Sequence, residues 1–375
     1  MASGANHALI LLERRDNAGE TSMELWGCGD GSKGQLGPSY LNDVSTIGPG
    51  STSAFRPINL PLRDHRLDEY SYRLIASSWQ TTYVVLSSPN KSDVLISMGA
   101  DVFGGTKRTS LHLVELGPLL PPESINLVIA SISAAPQHVI AYLKCTLADS
   151  STRNLLVGWG NSRHGQLGKG TTSLFAHPRL ISLDDGEDPI AALGLGTQHS
   201  AVLRASGVVS GLGSDKKSQL RGIEGVSGAT NLACTWNGTY LFIESEGGTR
   251  IMATGSHAKG QLGRPLLSNP AEVSLAPVQF PFTSSTHRML SIACGSEHVI
   301  CLFAVTSFDP GHGNARTEVW GWGWNEHGNL GVGTIHDVIR PEKIWPNNTQ
   351  PSDQANAVGI WAGCGTSWIA IQRSP

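Results

Sequence analysis

Four histidines recur at equivalent places in this chain: His7, His138, His199 and His298 each close a short turn that precedes an alternating apolar stretch. Imidazole is a common metal ligand, but a metal site needs several such groups to converge on one point. One histidine per repeat keeps them apart, so they read as turn-stabilising or packing residues. Glycine pairs of the form Gly-x-Gly follow several strands, yet none has the third glycine or the βαβ context that a dinucleotide site requires. Gly29-Asp30-Gly31-Ser32-Lys33-Gly34 resembles a phosphate loop only in composition. The six cysteines (Cys28, Cys145, Cys234, Cys294, Cys301, Cys364) are scattered with no Cys-x-x-Cys pair, which fits reduced core residues of a cytosolic or nuclear protein. The chain is therefore expected to carry no cofactor, no catalytic metal and no nucleotide of its own, and to be no enzyme.

The elements that hold these residues are repeats. One motif runs apolar or aromatic, Gly, x, Gly, a few polar residues, then Gly-Gln-Leu-Gly. It reads Trp26-Gly27-Cys28-Gly29 with Gly34-Gln35-Leu36-Gly37, Gly158-Trp159-Gly160 with Gly165-Gln166-Leu167-Gly168, Gly255 with Gly260-Gln261-Leu262-Gly263, and Gly321-Trp322-Gly323 with Gly328-Asn329-Leu330-Gly331. Weaker copies at Ser97-Met98-Gly99 and Gly211-Leu212-Gly213 bring the count to six. The second motif, Gly-x-x-His and an alternating strand, lies between them. Copies end at His7, His199 and His298, and diverged ones at Thr81, His138, Gly238 and Ser367 bring that count to seven.

Each second motif is a hairpin, and each first motif is a strand that enters a Gly-rich loop whose Leu returns to the core. Two hairpins make a four-stranded blade that cannot bury both faces alone, so blades must stack. The spacing, about 60 residues per repeat, suits a four-stranded blade with surface loops. Residues 1–375 are thus expected to form a single all-β domain, a seven-bladed β-propeller with one incomplete blade where the termini meet, Val358 to Ile371 lying in that partial blade. Tryptophans such as Trp26, Trp159 and Trp322 fall at blade-core positions.

Composition agrees. The 375 residues include 44 Gly and 20 Pro with only 15% charged side chains, a mixture of many short strands and turns. A net charge of −3 gives no reason to expect nucleic acid or an anionic membrane as a partner. The apolar run Ala8 to Leu12 passes straight into Glu13-Arg14-Arg15, so it reads as a strand and not as a signal peptide.

Together, the Gly-Gln-Leu-Gly and Ala-Cys-Gly-x-x-His motifs resemble the regulator-of-chromosome-condensation repeat family across the whole chain. Such repeats imply a propeller without fixing its function, since relatives include a GTPase exchange factor, a plant ultraviolet photoreceptor and many scaffolds. The wedge loop and basic tail of the exchange factor are not visible here, nor is the Gly-Trp-Arg-His-Thr series of the photoreceptor. Ser78-Trp79-Gln80-Thr81-Thr82, Cys234-Thr235-Trp236, Trp322-Gly323-Trp324-Asn325-Glu326-His327-Gly328 and Gly363-Cys364-Gly365-Thr366-Ser367-Trp368 look like the fungal alpha-tubulin suppressor, or killer-toxin-insensitivity, family. That resemblance implies a heterodimer with a small CSL-type zinc-finger metal-binding protein. It further implies a role beside the Elongator complex in tRNA wobble-uridine modification and diphthamide synthesis, in cytoplasm and nucleus. A generic scaffold or an exchange-factor-like propeller is the alternative.

Partner-binding candidates are the residues that depart from the generic repeat. Trp79 and Trp236 stand at corresponding turn positions where the intact repeat has a small or polar residue. Trp324, Glu326 and His327 lie in the loop after the Trp322 strand, and Glu297 and His298 occupy the preceding turn. Aromatic side chains beside turns are enriched in interface hot spots, and the carboxylates and imidazoles would add polar specificity.

Overall fold

The computed structural model describes residues 1–375 except 43, 46–47, 50, 101–106, 169–172, 184–187, 245–247, 266–273, 307–315, 347–354 and 374–375. The chain divides into two compact units, residues 1–187 and 188–375. Among the described residues no α-helix forms, which removes any βαβ unit.

The first unit is three four-stranded antiparallel sheets in succession. Sheet 1 holds β1 (Ala2–Ser3), β2 (His7–Arg15), β3 (Thr21–Gly29) and β4 (Thr52–Pro57). Sheet 2 holds β5 (Ser71–Ser77), β6 (Thr81–Ser88), β7 (Lys91–Ala100) and β8 (Lys107–Leu113). Sheet 3 holds β9 (Ser124–Ala134), β10 (His138–Leu147), β11 (Thr152–Asn161) and β12 (Leu174–Leu180).

In the second unit, sheet 4 holds β13 (Ile190–Leu195), β14 (His199–Arg204) and β15 (Val209–Gly213). Sheet 5 holds β16 (Ala229–Thr235), β17 (Gly238–Ile243), β18 (Arg250–Gly255) and β19 (Ala276–Pro277). Sheet 6 holds β20 (His287–Cys294), β21 (His298–Val305), β22 (Arg316–Gly323) and β23 (Val338–Trp345). A hairpin of β24 (Ala355–Ala362) and β25 (Ser367–Arg373) follows. In every sheet an intact or diverged copy of the Gly-x-x-His motif joins the first two strands, and an intact or diverged copy of the Gly-x-Gly motif lies at the end of the third.

The expected seven blades are therefore corrected to six, followed by a hairpin of two strands that contains Val358 to Ile371. Sheet 4 also lacks the fourth strand expected of it. After Leu220 its chain runs Arg221-Gly222-Ile223-Glu224-Gly225-Val226-Ser227-Gly228, with positive φ at all three glycines, and reaches β16 at once. Those turns leave no extended stretch to pair with β15.

The cores lie between consecutive sheets. Leu9, Leu25, Leu36 and Ile58 of sheet 1 pack with Val84, Leu86, Ile96 and Met98 of sheet 2. Tyr240, Ile251 and Leu262 of sheet 5, Val299, Ile300 and Trp322 of sheet 6, and Ala357 and Ile360 of the hairpin share another core. The second strand of a sheet is therefore buried on both faces, as in the fully buried β14, His-Ser-Ala-Val-Leu-Arg. The Gly-Gln-Leu-Gly leucine does return to the core: Leu36, Leu167, Leu262 and Leu330 are at most 3% exposed. Its slot is the first glycine of Gly-x-Gly, since a Cβ on Gly158 would stand 2.7 Å from both Leu167 and Ile181. Trp159 and Trp322 are buried as expected, but Trp26 is not their equivalent. It precedes the first glycine, as Trp320 does, and both are half-buried with Nε1 donating at 2.9 Å to Glu24 and Glu318, respectively.

Two glycines test this packing against backbone conformation. A Cβ on Gly295 would overlap the His298 ring and come within 2.5 Å of Gly363 O, whereas Gly328 has φ 67° and nothing within 4 Å. Gly295→Ala is expected to destabilise by about 2–3 kcal/mol through overpacking, and Gly328→Ala by about 1 kcal/mol through left-handed strain. Urea unfolding of both variants measures the difference, and equal losses would refute the packing argument.

Candidate functional site

The turns between the first two strands of the sheets use their four residues in recurring ways. The first donates its N–H back to the fourth, as from Gly196 to His199 O at 2.9 Å and from Gly295 to His298 O at 2.8 Å. The second residue reaches the next sheet: Thr197 N–H donates to Trp236 O at 2.9 Å, and Trp236 N–H to Ser296 O at 2.7 Å. In the first unit Ala5 N–H donates to Trp79 O at 2.9 Å. The third residue's carbonyl accepts the N–H that follows Gly-x-Gly, from Asp30 to Asn6 at 2.7 Å and from Trp324 to Glu297 at 2.9 Å.

The fourth residue, where it is histidine, points inward. His7 Nε2 meets Thr82 Oγ1 at 3.0 Å and His199 Nε2 meets Thr239 Oγ1 at 3.2 Å, each across to the next sheet. Burial lowers the pKa values of His7, His199 and His298 from 6.5 to about 4, so these rings are neutral at pH 7. His298 is 0% exposed. Its place among the partner-binding candidates is therefore corrected: the ring faces the interior, where the turn needs it.

Five other candidates gather on the turn side of the second unit. Trp236 is half-buried, and its neighbour Asn237 donates Nδ2–H to Glu297 Oε1. Glu297 Oε2 accepts from Gln261 Nε2 at 2.8 Å. Burial raises the Glu297 pKa, against the opposing pull of those two hydrogen bonds. The half-buried Trp324 ring meets the exposed His327 edge to face, with centroids 4.9 Å apart. Both lie against Gly365 in the hairpin turn, where a Cβ would sit 3.6 Å from His327 and 3.7 Å from Trp324. Glu326 is exposed and paired with Lys259, whose Nζ is also 3.5 Å from Asp337. Trp79, 44% exposed, occupies in the first unit the turn position that Trp236 has in the second.

Lys259, Gln261 and Asn237 belong to this surface although the sequence did not single them out. Gln261 comes from a Gly-Gln-Leu-Gly copy. Its Oε1 accepts Lys259 N–H at 2.8 Å, as Gln35, Gln166 and Gln219 accept the amide two residues earlier, and its Nε2 remains for Glu297. No repeat rule points to that last bond. Elsewhere in the second unit a cleft of about 660 Å³ is lined by Phe280, Phe282, His287, Met289 and Arg250 and includes none of the predicted residues. Among the described residues no three His, Cys, Asp or Glu side chains are grouped as a metal ion would need.

Residues 156–203, 250–302 and 318–368 match the regulator of chromosome condensation (RCC1) repeat. The sheet order is that of an all-β propeller, and these three stretches are similar to RCC1 repeats. Each matched stretch runs from the third strand of one sheet to the second strand of the next, half a sheet out of step with the blade. Over its whole length the chain is 25% identical to an RCC1 repeat-containing protein of Schizosaccharomyces pombe, covering 90% of it. It is 24% identical to the mouse secretion-regulating guanine nucleotide exchange factor, over 99% of this chain and 75% of that protein. To the ultraviolet-B receptor UVR8 of Arabidopsis thaliana it is 27% identical over 60% of this chain, which spans only 47% of the receptor. Human WBSCR16 shares the fold, with TM-score 0.69 and 17% identity over 99% of this chain and 86% of that one.

The buried histidines make stability depend on pH. In the unfolded chain each protonates near pH 6.5, and in the folded chain only near 4. Their contribution is fully present above pH 6.5 and is lost as pH falls from there to about 4, by at most about 1.4 kcal/mol per pH unit for each ring. Thermal unfolding followed by circular dichroism should show a midpoint that falls over this window. His199→Gln should reduce the slope, and an unchanged slope would mean that the ring is not held neutral.

Proposed function

We propose that this chain is a non-catalytic protein-binding propeller whose turn surface in residues 188–375 docks a small CSL-type zinc-finger protein. The observation that carries the docking surface is the assembly of Trp236, Glu297, Trp324, Glu326 and His327 on one side of adjacent turns. Aromatic faces beside solvent, bordered by a lysine and carboxylates, are the composition of an interface with a hot-spot centre and polar rim. Main-chain bonds already hold the turns together, so these side chains are not required to do so. The partner's identity rests on the sequence pattern around Trp79, Trp236, Trp324 and Gly363 to Trp368. In this proposal the pair acts with the Elongator complex in tRNA wobble-uridine modification and in diphthamide synthesis, in cytoplasm and nucleus. Metal travels with the partner.

An exchange factor for a GTPase is the second reading, supported by the similarity to the mouse secretion-regulating guanine nucleotide exchange factor over nearly the whole chain.

Binding of the purified zinc-finger protein should weaken at least about tenfold in Trp236→Ala and again in Trp324→Ala with Glu326→Ala, a truncation cost of about 2 kcal/mol. Circular dichroism establishes that each variant is folded. Undiminished binding in both places the interface elsewhere, and no binding by the unaltered chain removes this partner. Accelerated nucleotide release from a GTPase, lost in the same variants, would favour the second reading.

A further inference from the structure

We propose that the cleft of about 660 Å³ at the junction of sheets 5 and 6 binds a small aromatic anion, a compound with a planar apolar ring system and one acid group. The cleft lies at the end of these sheets remote from the Gly-x-x-His turns. It is lined by Arg250 and His287, the first residues of β18 and β20, and those strands run from there to Gly255 and Cys294 at the turn end. Small-molecule sites have volumes of about 300–1,000 Å³ and are mostly apolar, with a few polar groups that fix orientation. This cleft meets both conditions.

Its wall departs from the repeat. Val278 N–H donates to Ile251 O at 2.9 Å, as Ile58 N–H does to Leu25 O at 2.7 Å in sheet 1 and Ile181 N–H to Leu156 O at 2.8 Å in sheet 3. Two residues beyond that bond stands Phe280, where sheets 1 and 3 have Leu60 and Leu183, and two further stands Phe282, where sheet 1 has Leu62. Phe303 pairs with Met289 as Leu86 pairs with Tyr72 in sheet 2. Leucine satisfies the packing at these places elsewhere, so the three phenylalanines are additional to what the repeat requires. Their rings are held in place. Phe282 stacks on His287 with centroids 3.7 Å apart and meets Phe303 and Trp320 edge to face at 5.0 Å. His287 is fixed at both nitrogens, with Nδ1 2.9 Å from Thr286 Oγ1 and Nε2 3.2 Å from Glu318 Oε2. Phe280 and Phe282 nevertheless stay half-buried, which leaves a preorganised aromatic wall for a further ring to meet by face or edge.

The charge of the cleft sets the sign of the ligand. Among the described residues Arg250 is the permanently charged side chain on the lining, and no carboxylate shares that lining with it. Arg250 is exposed and makes no ion pair among the described residues. Two carboxylates touch lining residues from outside the cleft, and both are engaged. Glu244 accepts from Thr249 Oγ1 at 2.6 Å, and Glu318 accepts from Trp320 Nε1 at 2.9 Å and lies 3.3 Å from Lys343 Nζ. A Cβ on Gly248 would stand 2.7 Å from Ser284 Cβ, so the stretch leading into β18 closes on the segment that carries the phenylalanines. A guanidinium beside an aromatic wall suits an acid group attached to a ring system, because it can take two acid oxygens at once while the rings take the apolar body.

The test titrates the whole chain with two fluorescent probes: 8-anilinonaphthalene-1-sulfonate, an aromatic anion, and N-phenyl-1-naphthylamine, the same ring system without the charge. Saturable binding of the sulfonate with a dissociation constant of about 1–100 μM is the expected result. Arg250→Gln, a change at an exposed position, should weaken the sulfonate at least about tenfold and leave the neutral probe within about twofold. Phe280→Leu, which installs the residue that sheets 1 and 3 carry there, should weaken both probes at least about threefold. Near-ultraviolet circular dichroism establishes that each variant keeps its packing. No saturable binding by the unaltered chain, or equal sulfonate affinity in Arg250→Gln, overturns the proposal. So does undiminished binding of both probes in Phe280→Leu, or loss of the signal in Trp236→Ala, which would put the dye on the turns. The zinc-finger protein is absent throughout, so these outcomes are separate from whether it binds those turns.

Discussion

Main-chain bonds from the amide of the second turn residue to the carbonyl of the next sheet's turn, made by Ala5, Thr197 and Trp236, tie neighbouring sheets together within each unit. A four-stranded antiparallel sheet with both faces apolar has no stable life in water by itself. Its second strand is the most buried, and the turn that leads into that strand must also be fixed to its neighbour. Ala5 to Trp79, Thr197 to Trp236 and Trp236 to Ser296 do this through main-chain atoms alone. The histidine then secures the strand end. An unpaired buried polar group costs about 1–3 kcal/mol, and the threonine hydroxyls opposite His7 and His199 remove that cost at Nε2.

Because the bond is main chain to main chain, it does not itself constrain the side chain at that turn position. Alanine, threonine, serine and tryptophan all occupy it, at Ala5, Thr197, Ser296, Trp79 and Trp236. The third turn position is likewise fixed by its carbonyl, which leaves Asn237 and Glu297 to meet each other across two sheets. A docking surface can thus be written into the turns without altering the scaffold. The same logic separates His298 from Glu297, adjacent in sequence and opposite in role: one position is held by its side chain, the other by its backbone.

What the sequence revealed follows this division. Glycines that a Cβ would force apart and leucines that fill the resulting slots cannot vary without cost, so the six and seven motif copies were legible and with them the sheet order. Trp26 was misplaced because a strand repeats every two residues: Trp26 and Cys28 share a face, and Cys28 occupies the position of Trp159 and Trp322. Sheet 4 lost its fourth strand to three closely spaced glycines, a signal present in the sequence at Gly222, Gly225 and Gly228. The Lys259–Glu326 and Gln261–Glu297 contacts had no comparable signal, since they join residues 67 and 36 positions apart that no repeat rule relates.

The half-sheet offset between repeat and blade places a second strand at the end of each matched stretch. A repeat that runs from third strand to second strand ends, by construction, with a second strand whose own third strand belongs to the next repeat. The match at 318–368 closes inside β25 in this way. An isolated two-stranded hairpin is marginal in water, and β24 is held by Ala357 and Ile360 in the core of sheet 6 while Trp324 and His327 cover Gly365 at its turn. The inner strand and turn are therefore supported by sheet 6, and β25 adds Ile369 to the same core. Val358, 56% exposed, and Ile371, 40% exposed, are the apolar surface left over from that arrangement. In the other sheets the corresponding second strands gain burial from a third strand. The edge of β25 thus leaves apolar surface that a further strand would bury.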